Sequence, residues 1–394
     1  MEVFSFQDKF DSLVVGCGLV GSVIARFIAE KLNKQVIILE RRDHIAGNMY
    51  DYIDSHGIFV HKYGPHTFHT NHKHLYDFMT RYSNWEPYKL TSMALIDGIY
   101  TPVPFNFQTI DDFYDLEKGG KLKDKLLSTF PGKQKVTIVE LLEQNDQMVR
   151  EFALFLFEKD YRPYTAKQWG IPPEDIDLSV LKRVPIRLSY DVGYFDDPYQ
   201  VMPKRGYTEF FKELLNHPNI QIELNVDALN YLQIDTKKNI MLINGEPFLK
   251  PVIYTGALDK LCNLVEGELP YRSLHFEWFF EDIESFQGAP VVAYPQEKDF
   301  TRITEYKKLP VQKVRGTTYA KEYPLSYEPG KIIEPYYPVL TENSKLQYKK
   351  YQAIADRIEN LIYCGRLADF NYYNMDQALA RALEVCKTLE SRFS

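Results

Sequence analysis

Four cysteines in 394 residues, with no CxxC pair and no histidine cluster beside any of them, leave nothing from which to build a disulfide framework or a structural zinc site. Cys17, Cys262, Cys364 and Cys386 are spaced as in a protein kept in a reducing compartment, and no metal site is expected. Long apolar runs are also missing. No stretch reaches the roughly 20 apolar residues that a bilayer span needs, and the opening MEVFSFQDKFDS has neither the basic region nor the apolar core of an export signal. A soluble cytoplasmic chain with no membrane partner is expected. Positive charge is scarce too. A net charge of -7 argues against duplex nucleic acid, which demands a basic face, so an anionic ligand has to be met by a few local cations. No low-complexity tract or internal period points to a solenoid.

What the chain has in excess is aromatic side chains, 29 Tyr and 25 Phe. Tyrosine joins a flat apolar body to a hydroxyl, which serves sugar and nucleotide pockets as well as cores. A length of 394 residues exceeds what one core usually supports, so a nucleotide-binding unit interrupted by further domains is expected.

Residues 12–15 read as a short buried strand, 18–32 as a helix and 35–39 as a second strand ending on Glu40, a βαβ opening. Residues 51–70 are irregular and rich in His, Gly and Tyr, as in a loop that lines a site. From about 109 to 160 apolar residues recur at helical spacing, and YTAKQWGIPPEDI then reads as a loop. Strand-like runs at 220–224, 240–243, 252–254, 274–280, 291–294, 301–306 and 317–322 mostly lack intervening helices and imply an antiparallel sheet. The chain ends with a strand at 361–364, a turn at Gly365-Arg366 and a helix from near Met375. The expected class is α/β with α+β inserts: a Rossmann-like domain from 1–74, 204–258 and 359–394, a helical insertion at 105–176, and an antiparallel sheet domain from 75–104, 177–203 and 259–358.

In GCGLVG, Gly16, Gly18 and Gly21 hold the GxGxxG spacing between a strand and a helix, which seats a pyrophosphate on the helix N-terminus. Glu40 follows 19 residues after Gly21, where a carboxylate takes adenosine ribose hydroxyls. The motif alone does not separate FAD from NAD. Two later features favour flavin: Arg41 and the small residues of HIAGN, with Gly47 and Asn48, and the second turn at Gly365-Arg366 before a helix N-terminus at Asn374-Met375. Asn374 is a plausible N-cap, and a helix dipole there would stabilise the negative charge of a reduced flavin.

The strings VVGCGLVGSV, ERRDHIAGN, HKYGPHTFHTN, YTAKQWG, RVPIR, TRITEYK, KEYP, EPYYPV and GRLADFNYYNMDQ occur in order from about Asp11 onward, and in them the chain resembles the bacterial UDP-galactopyranose mutase family. The resemblance implies bound FAD, active when reduced, a nucleotide-sugar substrate, a homodimer, and interconversion of pyranose and furanose rings in which flavin N5 attacks the anomeric carbon. It further implies that Arg183 and Arg302 grip the two phosphates, that Tyr194, Tyr337 and Tyr372 donate hydroxyls to them, and that Arg366 serves flavin or substrate. Tyr164 and Trp169 would contact the uridine, Trp169 from a loop that closes over it. His66 would sit against the flavin; His69 has a weaker claim.

The chain departs from the family pattern at Leu90 and Ala293, where polar residues reach the sugar, and near the base, where Asp160 and Tyr161 replace aromatic positions and Pro163 a glycine. An apolar sugar wall favours a less hydroxylated hexose, so the same ring contraction on a 6-deoxy sugar such as dTDP-fucopyranose is a second reading. A flavin oxidoreductase and a non-catalytic escort protein of the GDP-dissociation-inhibitor type share the dinucleotide fold and stand as further alternatives.

Overall fold

A computed structural model of the chain describes residues 9–170, 185–328 and 334–393. A five-stranded parallel sheet runs in the order Ile220–Leu224, Val36–Glu40, Ser12–Val15, Val252–Tyr254, Leu361–Tyr363. Its three central strands are buried on both faces, and their alternating side chains divide between two cores. Val14, Val36, Ile38 and Ile253 pack with the helices Leu19–Glu30, Tyr207–Leu215 and Met375–Phe393. Leu13, Ile37, Leu39, Val252 and Tyr254 face the other side, against the antiparallel meander Leu232–Asp235, Ile240–Ile243, Glu246–Phe248 and the helix Glu342–Ala355. Covering both faces is what permits such continuously apolar strands.

The strand-like runs at 220–224 and 252–254, both within the 204–258 segment assigned above to the Rossmann-like domain, are members of this parallel sheet, and the run at 240–243 between them belongs to the antiparallel meander. The larger sheet has seven strands in the order Tyr337–Pro338, Tyr271–Glu281, Thr317–Ser326, Arg302–Glu305, Val291–Ala293, Ser92–Ile96, Ile99–Val103. It is antiparallel except that Val291–Ala293 pairs parallel with Ser92–Ile96. The helical segment holds Phe107–Phe113, Leu116–Thr129, Ile138–Leu142 and Gln147–Leu156 around its own core of Phe105, Leu122, Phe152 and neighbours.

YTAKQWG is not a loop. Helix Arg162–Trp169 contains it and stops at Gly170, whose left-handed backbone closes the last turn. The preceding residues Phe157–Tyr161 form a wide π turn in which Arg162 N–H donates to Phe157 O. Pro163, which lacks the N–H that an unbroken helix would donate to Lys159, follows directly. Among the described residues no helix is long and apolar enough to cross a membrane.

One side chain ties the glycine-turn unit to its neighbouring helix. Helix Tyr207–Leu215 starts at Gly206 without a side-chain cap, and the buried Asp51 carboxylate accepts from Tyr207 N at 2.5 Å and Thr208 N at 2.7 Å instead. Asp51→Ala is expected to lower stability by about 2–3 kcal/mol, the loss of a cap plus unmet buried donors. The midpoint of denaturant unfolding checks it.

Candidate functional site

A cavity of about 480 Å3 opens where the parallel strands end, and all the residues named above as cofactor-facing line it: Gly16, Gly18, Gly21, Glu40, Arg41, Gly47, Asn48, His66, Gly365, Arg366, Asn374 and Met375. Gly16 turns the chain at a φ of +98°, and Gly21 lies so close that a Cβ there would collide with the Gly16 carbonyl. Helix Leu19–Glu30 begins at Gly18 without a side-chain cap, so its first-turn N–H groups have no side-chain acceptor. Glu40 is 6% exposed; its carboxylate accepts from Cys17 N at 2.8 Å and Arg42 N at 3.0 Å, which fixes its place at the end of its strand. Arg41 and Arg42 both pair with Glu334, and Arg42 also donates to Asn48 at 2.9 Å. They brace the wall.

At the other end, the Gly365 N–H donates to Asp369 at 2.9 Å, and Arg381 of the last helix grips the same carboxylate at 3.1 Å. This fixes the Gly365–Arg366 turn against Met375–Phe393. Asn374 is not the side-chain cap expected; Gln377 reaches back and accepts from Asn374 N at 2.9 Å. Arg366 is enclosed, and its guanidinium donates only to carbonyls, Tyr336 O at 3.2 Å and Tyr373 O at 2.7 Å, while lying 5.6 Å from the Tyr372 ring centre. No carboxylate among the described residues neutralises it, and burial lowers its pKa. A buried cation in that state calls for an anion.

His66 joins this end to the second sheet. Its Nδ1 contacts Gly64 O at 2.8 Å, and since a carbonyl only accepts, Nδ1 carries the proton and Nε2 keeps its lone pair. Burial, with the charges of Arg366 and Arg302, pushes its pKa down to about 4, so the ring is neutral at pH 7. Behind it, the buried His61 accepts from His66 N at 3.1 Å.

Arg302 belongs to a row that crosses three strands in register, Ala293, Arg302 and Glu322. Its Nε and Nη2 both donate to Glu322 Oε2, at 2.9 and 2.8 Å, and the buried carboxylate raises the arginine's pKa. Tyr164 and Tyr194 are close enough to interact with the same guanidinium. The Tyr337 ring meets Trp169 edge-on at 5.6 Å and Tyr372 at 5.7 Å. Burial pushes the Tyr337 phenol up to about 12 and raises that of Tyr164, so both stay protonated donors at neutral pH.

His66, Arg302, Arg366, Tyr164 and Asp160 are each surrounded by protein on nearly every side yet still touch solvent, as groups at the bottom of a cleft do. Leu90, by contrast, is 8% exposed and packed in the main core, its carbonyl taking the Tyr194 N–H at 2.8 Å. His69 pairs with Asp197 at 2.6 Å and stacks on Phe195, away from the cavity lining. Arg183 lies outside the described residues.

Sequence reasoning missed two parts of the cavity wall, Val226–Leu229 and Thr255–Ala257. Each follows a strand of the parallel sheet, and ligands bind beyond the carboxyl ends of such strands. Applying that rule to the strands of the 204–258 segment would have found them. Glu322, the partner of Arg302, was missed as well.

The fold and the cavity define a dinucleotide-binding protein of the Rossmann type. A family model described as an NAD(P)-binding Rossmann-like domain matches residues 14–82, and one described as UDP-galactopyranose mutase matches 159–372. The chain is 34% identical over 99% of its length to all of the UDP-galactopyranose mutase of Mycoplasma pneumoniae. It is 36% identical over 98% of its length to 96% of that of Mycoplasma genitalium, and 35% identical over 94% to 96% of the dTDP-fucopyranose mutase of Escherichia coli. Among solved structures, a crystal structure of reduced UDP-galactopyranose mutase superposes with a TM-score of 0.69 at 15% identity, over 97% of this chain and 94% of that one. A putative protoporphyrinogen oxidase from Exiguobacterium shares the fold at a TM-score of 0.61 and 14% identity, over 97% and 98% of the two chains. The chain belongs to the UDP-galactopyranose mutase family and is an isomerase.

Proposed function

We propose that the chain interconverts UDP-galactopyranose and UDP-galactofuranose, with FAD held reduced in the cavity. The observation that carries this is the convergence of two guanidiniums, Arg302 and Arg366, on a neutral histidine at the mouth of a dinucleotide cavity. A redox enzyme acting on an amine has no use for paired cations there; a diphosphate does.

The residues suit FAD. The first-turn N–H groups after Gly18 would take its pyrophosphate and Glu40 its ribose, Gly47 and Asn48 would run beside it, and the helix starting at Met375 would face the pyrimidine edge. When bound and reduced, the flavin supplies a nucleophilic N5 for the anomeric carbon. The chain's own residues do the rest. Arg302, Arg366 and Arg183 hold the diphosphate and stabilise the charge that grows on it as the glycosidic bond breaks. Tyr194, Tyr337 and Tyr372 donate hydroxyls to the same phosphates, and Tyr164 and Trp169 hold the uridine. His66, with Nδ1 committed to Gly64, presents Nε2 as an acceptor and cannot act as an acid near pH 7.

Dithionite-reduced enzyme is expected to convert UDP-galactopyranose to an equilibrium mixture with the furanose, seen by NMR, without consuming an electron acceptor. A stoichiometric demand for oxidant would favour an oxidoreductase, and protein purified without flavin the escort reading. One observation favours a second substrate: Ala293, in register beside Arg302, puts an apolar group where the resemblance implies a polar one. Turnover of dTDP-fucopyranose in parallel, faster than that of UDP-galactopyranose, would establish the 6-deoxy sugar; silence toward both would sink the mutase reading. The domain limits given above, a homodimer and a cytoplasmic location belong to the same proposal. The four free thiols, all buried, support a reducing compartment.

A further inference from the structure

We propose that His61 is a positioning residue: with Tyr207 it clamps the backbone of His66, so that the free ring nitrogen of His66 meets the cofactor cavity at one fixed place. The inference rests on the flavin reading above and concerns what stands behind the cavity wall. His66 lines the cavity, and His61 does not. Three contacts fix His66. Its N–H donates to His61 Nδ1 at 3.1 Å, its carbonyl accepts from the Tyr207 hydroxyl at 3.3 Å, and its own Nδ1–H donates to Gly64 O at 2.8 Å. Only Nε2 is left without a partner among the described residues, and in this tautomer Nε2 is an acceptor.

The clamp is built on one acid. His61 ends the strand Phe59–His61 directly opposite Asp51 of its partner Asp51–Ile53, and the Asp51 carboxylate takes the Tyr207 N–H. The rings of His61 and Tyr207 then meet edge-on at 5.7 Å, so both holders of His66 share a single support. An N–H aimed at His61 Nδ1 puts that ring's proton on Nε2. This second N–H has no acceptor among the described residues, although His61 is only 1% exposed. Burying an unmet donor costs stability, and a phenylalanine in the same space would carry none. Packing therefore does not account for a histidine here; the acceptor at Nδ1 does. Burial, with the charge of His66, pushes the His61 pKa down to about 3, so the acceptor persists at neutral pH. Reduction adds N–H groups to the flavin ring system and removes none, so an acceptor fixed in the wall favours the reduced form.

The test measures the midpoint potential of the flavin in the flavin-loaded enzyme, with kcat and KM for UDP-galactopyranose beside it. His61→Phe keeps a ring and removes the acceptor. It is expected to unfold at nearly the unaltered denaturant concentration, because one unmet donor, His61 Nε2–H, is exchanged for another, His66 N–H. Its flavin potential is expected to fall by about 30 mV, a tenfold shift of a two-electron equilibrium away from the reduced form. Its kcat is expected to fall about tenfold with little change in KM. His61→Asn, whose side-chain oxygen lies near the place of Nδ1, is expected to bring both back to within about threefold, and His61→Gln, whose oxygen lies nearer that of Nε2, is not. If the phenylalanine variant loses flavin, the asparagine and glutamine variants decide. An unmoved potential in the phenylalanine variant, or equal potentials in the other two, overturns the role of His61. The expected shift and its recovery in an enzyme that turns over no nucleotide sugar would leave His61 in that role and remove the mutase reading.

Discussion

Gly21→Val is expected to yield protein that purifies without flavin. An ideal Cβ at this position collides with the Gly16 carbonyl and lies 3.2 Å from Val14 Cγ1, both of them fixed, the first as backbone and the second as buried core. Overpacking of this kind costs about 1–3 kcal/mol even where side chains can adjust, and backbone has less room to give. The relief available is for helix Leu19–Glu30 to lift from strand Ser12–Val15, which carries its first-turn N–H groups away from the phosphates they would bind. Fold and cofactor site are thus coupled through one residue. Gly18→Ala is the control. Gly18 is in extended backbone, and its added methyl would find Gly47 Cα at 3.9 Å, ordinary contact. That variant is expected to fold with near-normal stability, so any loss of flavin from it reports a ligand passing over residue 18. Flavin-to-protein stoichiometry from visible absorbance, with the unfolding midpoint of each variant, separates the two effects. Full flavin in Gly21→Val would remove the glycine turn from the binding site.

The glycine turn was readable because everything it needs is local. A four-residue buried strand, a glycine turn, an apolar helix and an acid at the end of the next strand lie within thirty residues, and each follows from short-range sterics and periodicity. The last helix was readable for the same reason, Met375 opening it as expected. Pairing between distant strands was not. Nothing in IQIEL tells that it lies beside Val36–Glu40, or in VVA that it runs parallel to Ser92–Ile96, because those choices depend on which edges other elements leave free. Helix Arg162–Trp169 was misread as a loop for a related reason. Its apolar positions do not form a stripe, and Pro163 reads as a breaker unless the π turn before it is anticipated. The consequence reaches the site, since Trp169 lies at a helix end that stops on Gly170, with the Tyr337 ring at its edge.

Arg302→Ala is expected to lower kcat/KM for the nucleotide sugar by about a thousandfold, on the scale of removing one oriented donor from a developing oxyanion. Two consequences of the substitution have to be kept apart. Arg302 pairs with Glu322, which is 5% exposed, so alanine leaves a buried carboxylate without its cation, and breaking a buried pair costs about 3–5 kcal/mol. Activity could fall through stability alone. Arg302→Lys keeps the charge beside Glu322 and so most of the stability, but a single ammonium cannot serve Glu322 and a phosphate together as a fork does. In the arginine, Nε and Nη2 are both turned to one carboxylate oxygen, which fixes the plane of the guanidinium and leaves the Nη1 donors for the ligand. Glu322→Gln completes the comparison: it leaves Arg302 charged but less firmly oriented. The lysine variant is therefore expected to melt near the unaltered protein and still lose about a hundredfold in kcat/KM. The glutamine variant is expected to lose less. A lysine variant with full activity would show that charge alone matters at this position and would take Arg302 out of the oriented grip on the diphosphate.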